Sequence, residues 1–192
     1  MGTTCTALAV RDGKAWLAHV GDSRAYLLRA AKLKQLSEDQ TLVRKLVKDG
    51  AMTEEEAKRS DNSNVLLQAM GTLPQIKPEL WDEGLILAPD DVLVLCSDGL
   101  HGLVPDDRIA DIAGRLPPLE ACQELIAQAL RAGGHDNVSI GVFHAVSAAP
   151  ARDSAEPQGG TTRRIAAAGS TSGSSEAAGQ TTRQIPTFER QP

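Results

Sequence analysis

Apolar and polar positions divide the chain into short strands first and helices later. A strand pattern runs from Thr4 to Val10, and Lys14 to Val20 is a second one. Between them lies Asp12-Gly13, a strong signal for a two-residue hairpin loop. In the second strand Trp16, Ala18 and Val20 share one face, and Leu17 and His19 the other. Gly21-Asp22-Ser23 then turns the chain into Arg24–Arg29. Three strands joined by short turns predict an antiparallel meander.

The spacing changes after Asp39. Leu42, Val43, Leu46 and Val47 recur on one side of a helix over residues 39–48, with Gly50 as its stop. Thr53-Glu-Glu-Glu56 has the form of a capping box opening a short, charged helix. Residues 60–64 read as a surface loop, 65–70 as a short apolar run of either type, and 76–87 as extended chain punctuated by Pro74 and Pro78. Two amphipathic helices follow Gly99. The first starts at Pro105 and carries Ile109, Ile112, Ala113 and Leu116; the second carries Leu119, Cys122, Ile126, Ala129 and Leu130 and ends at Gly133-Gly134. Asn137–Phe143 is the last strand.

The stretch from Asp91 to Leu100 organises the rest. Val-Leu-Val-Leu-Cys is apolar on both faces of a strand, so it lies between two layers and delivers Asp98 from the interior to its end. A carboxylate there needs a cation, hydrogen-bond donors or water. Doubly apolar strands both before and after helices predict an α+β fold of two stacked antiparallel sheets, each covered outside by helices.

Composition narrows the function. Aromatic residues are 3% of the chain, so Val, Leu, Ile and Ala build the core. A formal net charge of -5 argues against a nucleic-acid partner. No apolar run approaches a membrane span, and the N-terminus lacks a signal pattern, so the expectation is a cytoplasmic protein without a membrane partner. Cys5, Cys96 and Cys122 show no paired spacing and read as reduced core residues. Residues 147–192 turn to Ala, Gly, Ser, Thr, Gln and Arg, a composition that predicts a disordered, low-complexity tail. Thr161–Ile165 and Thr181–Ile185 repeat one short motif in it.

Three acidic turns carry the candidate chemistry: Asp22 in Gly-Asp-Ser-Arg, Asp98 in Ser-Asp-Gly, and Asp136 in His-Asp-Asn. Each alone serves as well for an ordinary turn, since Asp and Gly favour turns. Jointly, carboxylates at strand ends suit a hard divalent cation such as Mg2+ or Mn2+; zinc is disfavoured because Cys and His never occur at ligand spacing. His101 and His135 flank these turns as candidate proton donors. No Ser-His-Asp arrangement is visible.

Taken in order, Met1-Gly-Thr-Thr, Gly21-Asp-Ser-Arg24, Cys96-Ser-Asp-Gly-Leu100 and Gly134-His-Asp-Asn-Val138 resemble the motifs of the metal-dependent protein phosphatases of the 2C type, in their bacterial branch. Leu36-Ser-Glu-Asp39 and Asn64–Gly71 resemble that branch's linking segments. The resemblance covers residues 1–146 and implies a partial phosphatase domain, an α-β-β-α sandwich with metal ions at one end of the sheets. It implies hydrolysis of phosphoserine and phosphothreonine in proteins by water activated by Mn2+ or Mg2+, two or three ions in the complete site. Asp98 and Asp136 would be metal ligands, with Asp22 near a further ion. Gly99, Asn137 and Ser97 would support them, and residues 40–64 would form a flap beside the cleft. Phosphoprotein substrates and a Ser/Thr kinase are the implied partners.

The family pattern also contains an Arg, a Glu-Asp pair and a metal-bridging Asp-Gly ahead of these motifs, and this sequence does not carry them. Asp12-Gly13 and Asp49-Gly50 stand in the wrong places to substitute. The expectation is therefore a sandwich lacking two strands, with unpaired edges and exposed apolar surface. Two readings follow: a phosphatase whose N-terminal part lies outside this sequence, or a non-catalytic relative that binds a phosphoprotein or kinase.

Overall fold

A computed structural model of the chain describes residues 1–72 and 74–146. The expected tail, with its repeated motif, lies outside the described residues. In chain order the elements are β1 (Cys5–Arg11), β2 (Lys14–Val20), β3 (Arg24–Arg29), β4 (Lys32–Gln35), α1 (Leu42–Lys48) and α2 (Glu54–Lys58), then β5 (Glu79–Leu80), β6 (Leu85–Ile86), β7 (Val92–Cys96), α3 (Asp98–His101), α4 (Asp106–Arg115), α5 (Pro118–Arg131) and β8 (Ile140–His144). Two antiparallel sheets result. One has the order β1-β2-β5, with β6 also paired to β2, and the other the order β4-β3-β7-β8.

The first hairpin forms as its sequence predicts. Arg11 faces Lys14, and Asp12 and Gly13 take φ values of 49° and 71°, the two positive angles of a type I′ loop. The meander does not continue. β3 pairs with β4 and β7, so the chain leaves the first sheet at Gly21 and enters the second at Arg24. Gly21 has φ 109°, and a Cβ there would collide with the Thr4 side chain. One Gly-Asp-Ser turn can serve a hairpin or a crossover, and spacing alone points to the wrong partner.

β7 is buried on both faces. Val92, Val94 and Cys96 pack with Tyr26, Leu28, Ile109, Ile112 and Leu125, while Leu93 packs the other way against Ala15 and Leu27 of the two sheets. Each large side chain fully buried here contributes about 1.5–3 kcal/mol, so the layer between this sheet and the helices is the main core. The helices in close contact with a sheet, α3, α4 and α5, lie on the second one. β1 is an edge strand with most of its residues exposed, and Val10, Leu80 and Ile86 are exposed on the first sheet.

Four expectations need correction. On α5 the buried stripe is Ala121, Leu125 and Ala129, while Leu119 and Leu130 are exposed. That face, two alanines around one leucine, packs in the main core, and α5 contacts β8 and α4. Residues 65–70 form neither strand nor helix but touch the fold through two single bridges, Thr41 to Leu66 and Thr3 to Met70. Cys5 is exposed on the edge strand, whereas Cys96 is buried in the main core and Cys122 is half-buried against it. Asp98 does more than end a strand, for it opens the one-turn helix α3. Among the described residues no helix is long and apolar enough to cross a membrane.

Candidate functional site

Three connections meet at one end of the second sheet. Arg24 pairs with Cys96, and Cys96 with Ile140, so the turn before β3, the junction from β7 to α3 and the loop before β8 come together. Asp22, Asp98 and Asp136 contribute one carboxylate from each, and all three line a single cavity of about 1260 Å3.

The residues between these acids hold the loops in register. The Ser97 N–H donates to the Ser139 carbonyl at 3.0 Å. Its Oγ donates to the Asn137 carbonyl at 3.1 Å and accepts from the Ser139 N–H at 3.0 Å. At Gly99 a Cβ would lie 2.5 Å from the same Asn137 oxygen, so only glycine allows this approach. Asp98 accepts the Gly99 N–H at 2.9 Å, and Asp136 the Asn137 N–H at 2.7 Å. Ser97, Gly99 and Asn137 thus form one joint between the Asp98 and Asp136 loops.

The Asp22 turn is fixed from several sides. Gln40 is bonded twice to Gly21: its side-chain oxygen accepts the Gly21 N–H at 3.0 Å, and its own N–H donates to the Gly21 carbonyl at 2.8 Å. Thr6 Oγ1 donates to the Ser23 carbonyl at 2.9 Å, and His101 Nε2 lies 2.9 Å from the Asp22 carbonyl. His101 is therefore occupied with the backbone, although the sequence offers it as a proton donor. Burial, then the Arg24 charge, keep its ring below the usual imidazole pKa. His135 lines the cavity. His19 is packed, with its two ring nitrogens on Thr6 Oγ1 and the Glu38 carbonyl.

Sequence reading overlooks one part of this wall. Arg24 clasps Asp39, its Nε 2.9 Å from Oδ1 and its Nη2 2.6 Å from Oδ2. It also donates to Tyr26 Oη at 3.1 Å. Burial opposes the guanidinium charge, yet the Asp39 bonds outweigh it and raise the pKa. Arg24 is visible inside its motif, but nothing in the spacing points to Asp39 as its partner. The Cys96 thiol is pushed up to about 12 by burial, so it stays protonated and is no nucleophile.

Electrostatics favour a cation here. Burial, then the charges of Asp98 and Asp39, raise the Asp22 pKa above the ordinary carboxylate value. Like-charged oxygens sharing partly desolvated space are what a hard divalent ion relieves. Among the described residues, no three Asp, Glu, His or Cys groups stand close enough to hold a metal ion. The donor chemistry fits such an ion, and the donor set is a partial one, the Asp22–Asp98 pair with Asp136 on the same wall.

Comparison with known proteins agrees with the sequence motifs. The family model described as Protein phosphatase 2C matches residues 1–46. Protein phosphatase PhpP of Streptococcus pneumoniae is 38% identical over 141 residues, 73% of this chain and 56% of that protein. Serine/threonine protein phosphatase PstP of Mycobacterium tuberculosis is 39% identical over 147 residues, 76% of this chain and 28% of that protein. The crystal structure of the M. tuberculosis serine/threonine phosphatase PstP/Ppp superposes with a TM-score of 0.71 at 36% identity, covering 77% of this chain and 61% of that one. The PstP catalytic domain in complex with two manganese ions matches with a TM-score of 0.67 at 38% identity, covering 77% and 60%. The chain spans a little over half the length of the streptococcal relatives it matches. Motif order, sheet topology and these likenesses agree: over about three quarters of its length the chain is similar to part of the protein phosphatase 2C fold.

Proposed function

We propose that this chain carries part of the site of a metal-dependent protein serine/threonine phosphatase, a cytoplasmic hydrolase of phosphoserine and phosphothreonine in proteins. Asp98, Asp136 and Asp22 are its cation-ligating carboxylates. The observation that supports the reading is that these three line one cavity, where the Asp98 charge helps to raise the Asp22 pKa. Bound Mn2+ or Mg2+ would lower the pKa of a coordinated water toward neutrality and offset charge on the phosphoryl oxygens. The chain's own residues do the rest. Ser97, Gly99 and Asn137 hold the Asp98 and Asp136 loops together, and Gln40, Thr6 and His101 hold the Asp22 turn. The segment from Gln40 to Asn64, with α1 and α2, borders the cavity and would meet the phosphoprotein.

A second reading is a non-catalytic relative that binds a phosphoprotein or a kinase. One assay separates the two. Manganese-dependent release of phosphate from a phosphothreonine peptide by the 192-residue chain, lost in Asp98→Asn, supports the phosphatase. Binding of that peptide without turnover supports the second reading.

A further inference from the structure

His101 ends α3, three residues after Asp98 opens it, and its Nε2 lies 2.9 Å from the backbone oxygen of Asp22. A carbonyl only accepts, so this nitrogen carries the proton. One rigid imidazole therefore ties the turn bearing one carboxylate to the short helix bearing another, across 79 residues of sequence. The helix side of this tie is anchored independently. The Gly102 N–H donates to the Asp98 carbonyl at 2.8 Å, and Leu100 is fully buried in the main core. On the turn side, Gln40 and Thr6 fix Gly21 and Ser23, which leaves His101 as the hydrogen-bond donor on Asp22 itself.

We propose that His101 is a positioning residue that sets the separation of the Asp22 and Asp98 carboxylates, and that it supplies no proton to substrate. The tether stands on the hydrogen bond; only the purpose of the separation rests on reading these acids as cation ligands. Oxygen-to-cation distances are confined to roughly 2.0–2.6 Å, so a small drift of the Asp22 turn matters. Partners that orient a ligand from behind typically change metal affinity about 10–100-fold when lost.

The test uses the full chain with His101→Gln and His101→Met. Glutamine places an amide N–H where Nε2 sits, and methionine matches its length without a donor. The first readout is hydrogen exchange of the Gly21 amide, followed by NMR without metal. Exchange about fivefold faster in His101→Met, with His101→Gln close to the unsubstituted chain, is expected for the loss of one hydrogen bond. The second is calorimetric titration with Mn2+, where His101→Met binds about tenfold more weakly and His101→Gln recovers most of the affinity. Equal exchange rates in the two variants overturn the proposal. An unsubstituted chain that takes up no manganese overturns the metal reading instead, and the exchange comparison still decides the tether.

Discussion

Arg29 closes a two-pronged ion pair on Asp91, with Nε 2.8 Å from Oδ1 and Nη2 2.6 Å from Oδ2. The Asp91 carboxylate is 1% exposed and also accepts the Ala88 N–H at 2.7 Å. Arg29 Nη2 reaches on to the Ile86 carbonyl at 2.8 Å. The end of β3, the start of β7 and the short strand β6 of the facing sheet are thus pinned together, at the end of β7 remote from Asp98.

This pair makes stability depend on acid. The Arg29 hydrogen bonds hold the Asp91 carboxyl below its ordinary value despite its burial. A depressed native pKa stabilises the fold above the unfolded carboxylate pKa of about 4, and that contribution disappears as pH falls through the native value. Asp91→Asn should cost about 2 kcal/mol near neutral pH, in line with losing charge-assisted bonds at a buried site. Urea denaturation of both chains between about pH 7 and 3 should show the gap closing at the acid end. A gap that stays constant across the range would show the pair contributes no pH-dependent stability.

Gly99 offers a steric test of the joint beneath the cavity. An added Cβ would meet the Asn137 carbonyl oxygen at 2.5 Å and its carbon at 3.0 Å, both backbone atoms with no rotamer to relieve them. Gly99→Ala should therefore destabilise by about 1–3 kcal/mol, the range for overpacking. It should also weaken manganese binding, because Asn137 neighbours Asp136. Gly13→Ala is the control: nothing lies within 4 Å of its Cβ position, and φ 71° alone supplies the strain. Its cost should appear in thermal unfolding while manganese binding stays unchanged. Equal manganese binding in both variants would remove Gly99 from the joint.

Much of this was legible in the residues because local chemistry enforces it. Asp12-Gly13 has one good hairpin solution, and the Thr53–Glu56 capping box forms as its letters predict. β7 reads as doubly buried because all five of its residues are apolar. Partner choice was less legible. Nothing local tells Arg24 to pair with Cys96 on β7 rather than with β2, since the decision is made by which apolar faces close the core. The buried face of α5 was only partly legible: Ala129 belongs to the expected stripe, whereas the buried Ala121 and Leu125 each lie one position before the expected Cys122 and Ile126. At the site, the three acids were visible as motifs. The Gln40, Thr6 and His101 bonds were not, because each joins side chain to backbone over long sequence separations and leaves no periodic trace.

If Asp22 is the cation ligand proposed above, it sets function against stability. Burial, then Asp98 and Asp39, raise its pKa, so ionising it costs the fold free energy above the native pKa, and the cost vanishes below the unfolded one. Asp22→Asn removes that charge with little change in shape. Without metal, the variant should be more stable than the unsubstituted chain near neutral pH by about 0.5–1 kcal/mol, a common gain from relieving a functional site. The difference should shrink toward about pH 4 as the carboxyl protonates. With manganese the order should reverse, because a ligand bound only by the native state stabilises in proportion to its affinity, and the variant has given up part of that affinity. Thermal unfolding of both chains, with and without millimolar manganese, measures all of this. If Asp22→Asn is the less stable chain under both conditions, Asp22 holds the turn together and is not a strained ligand kept for a cation.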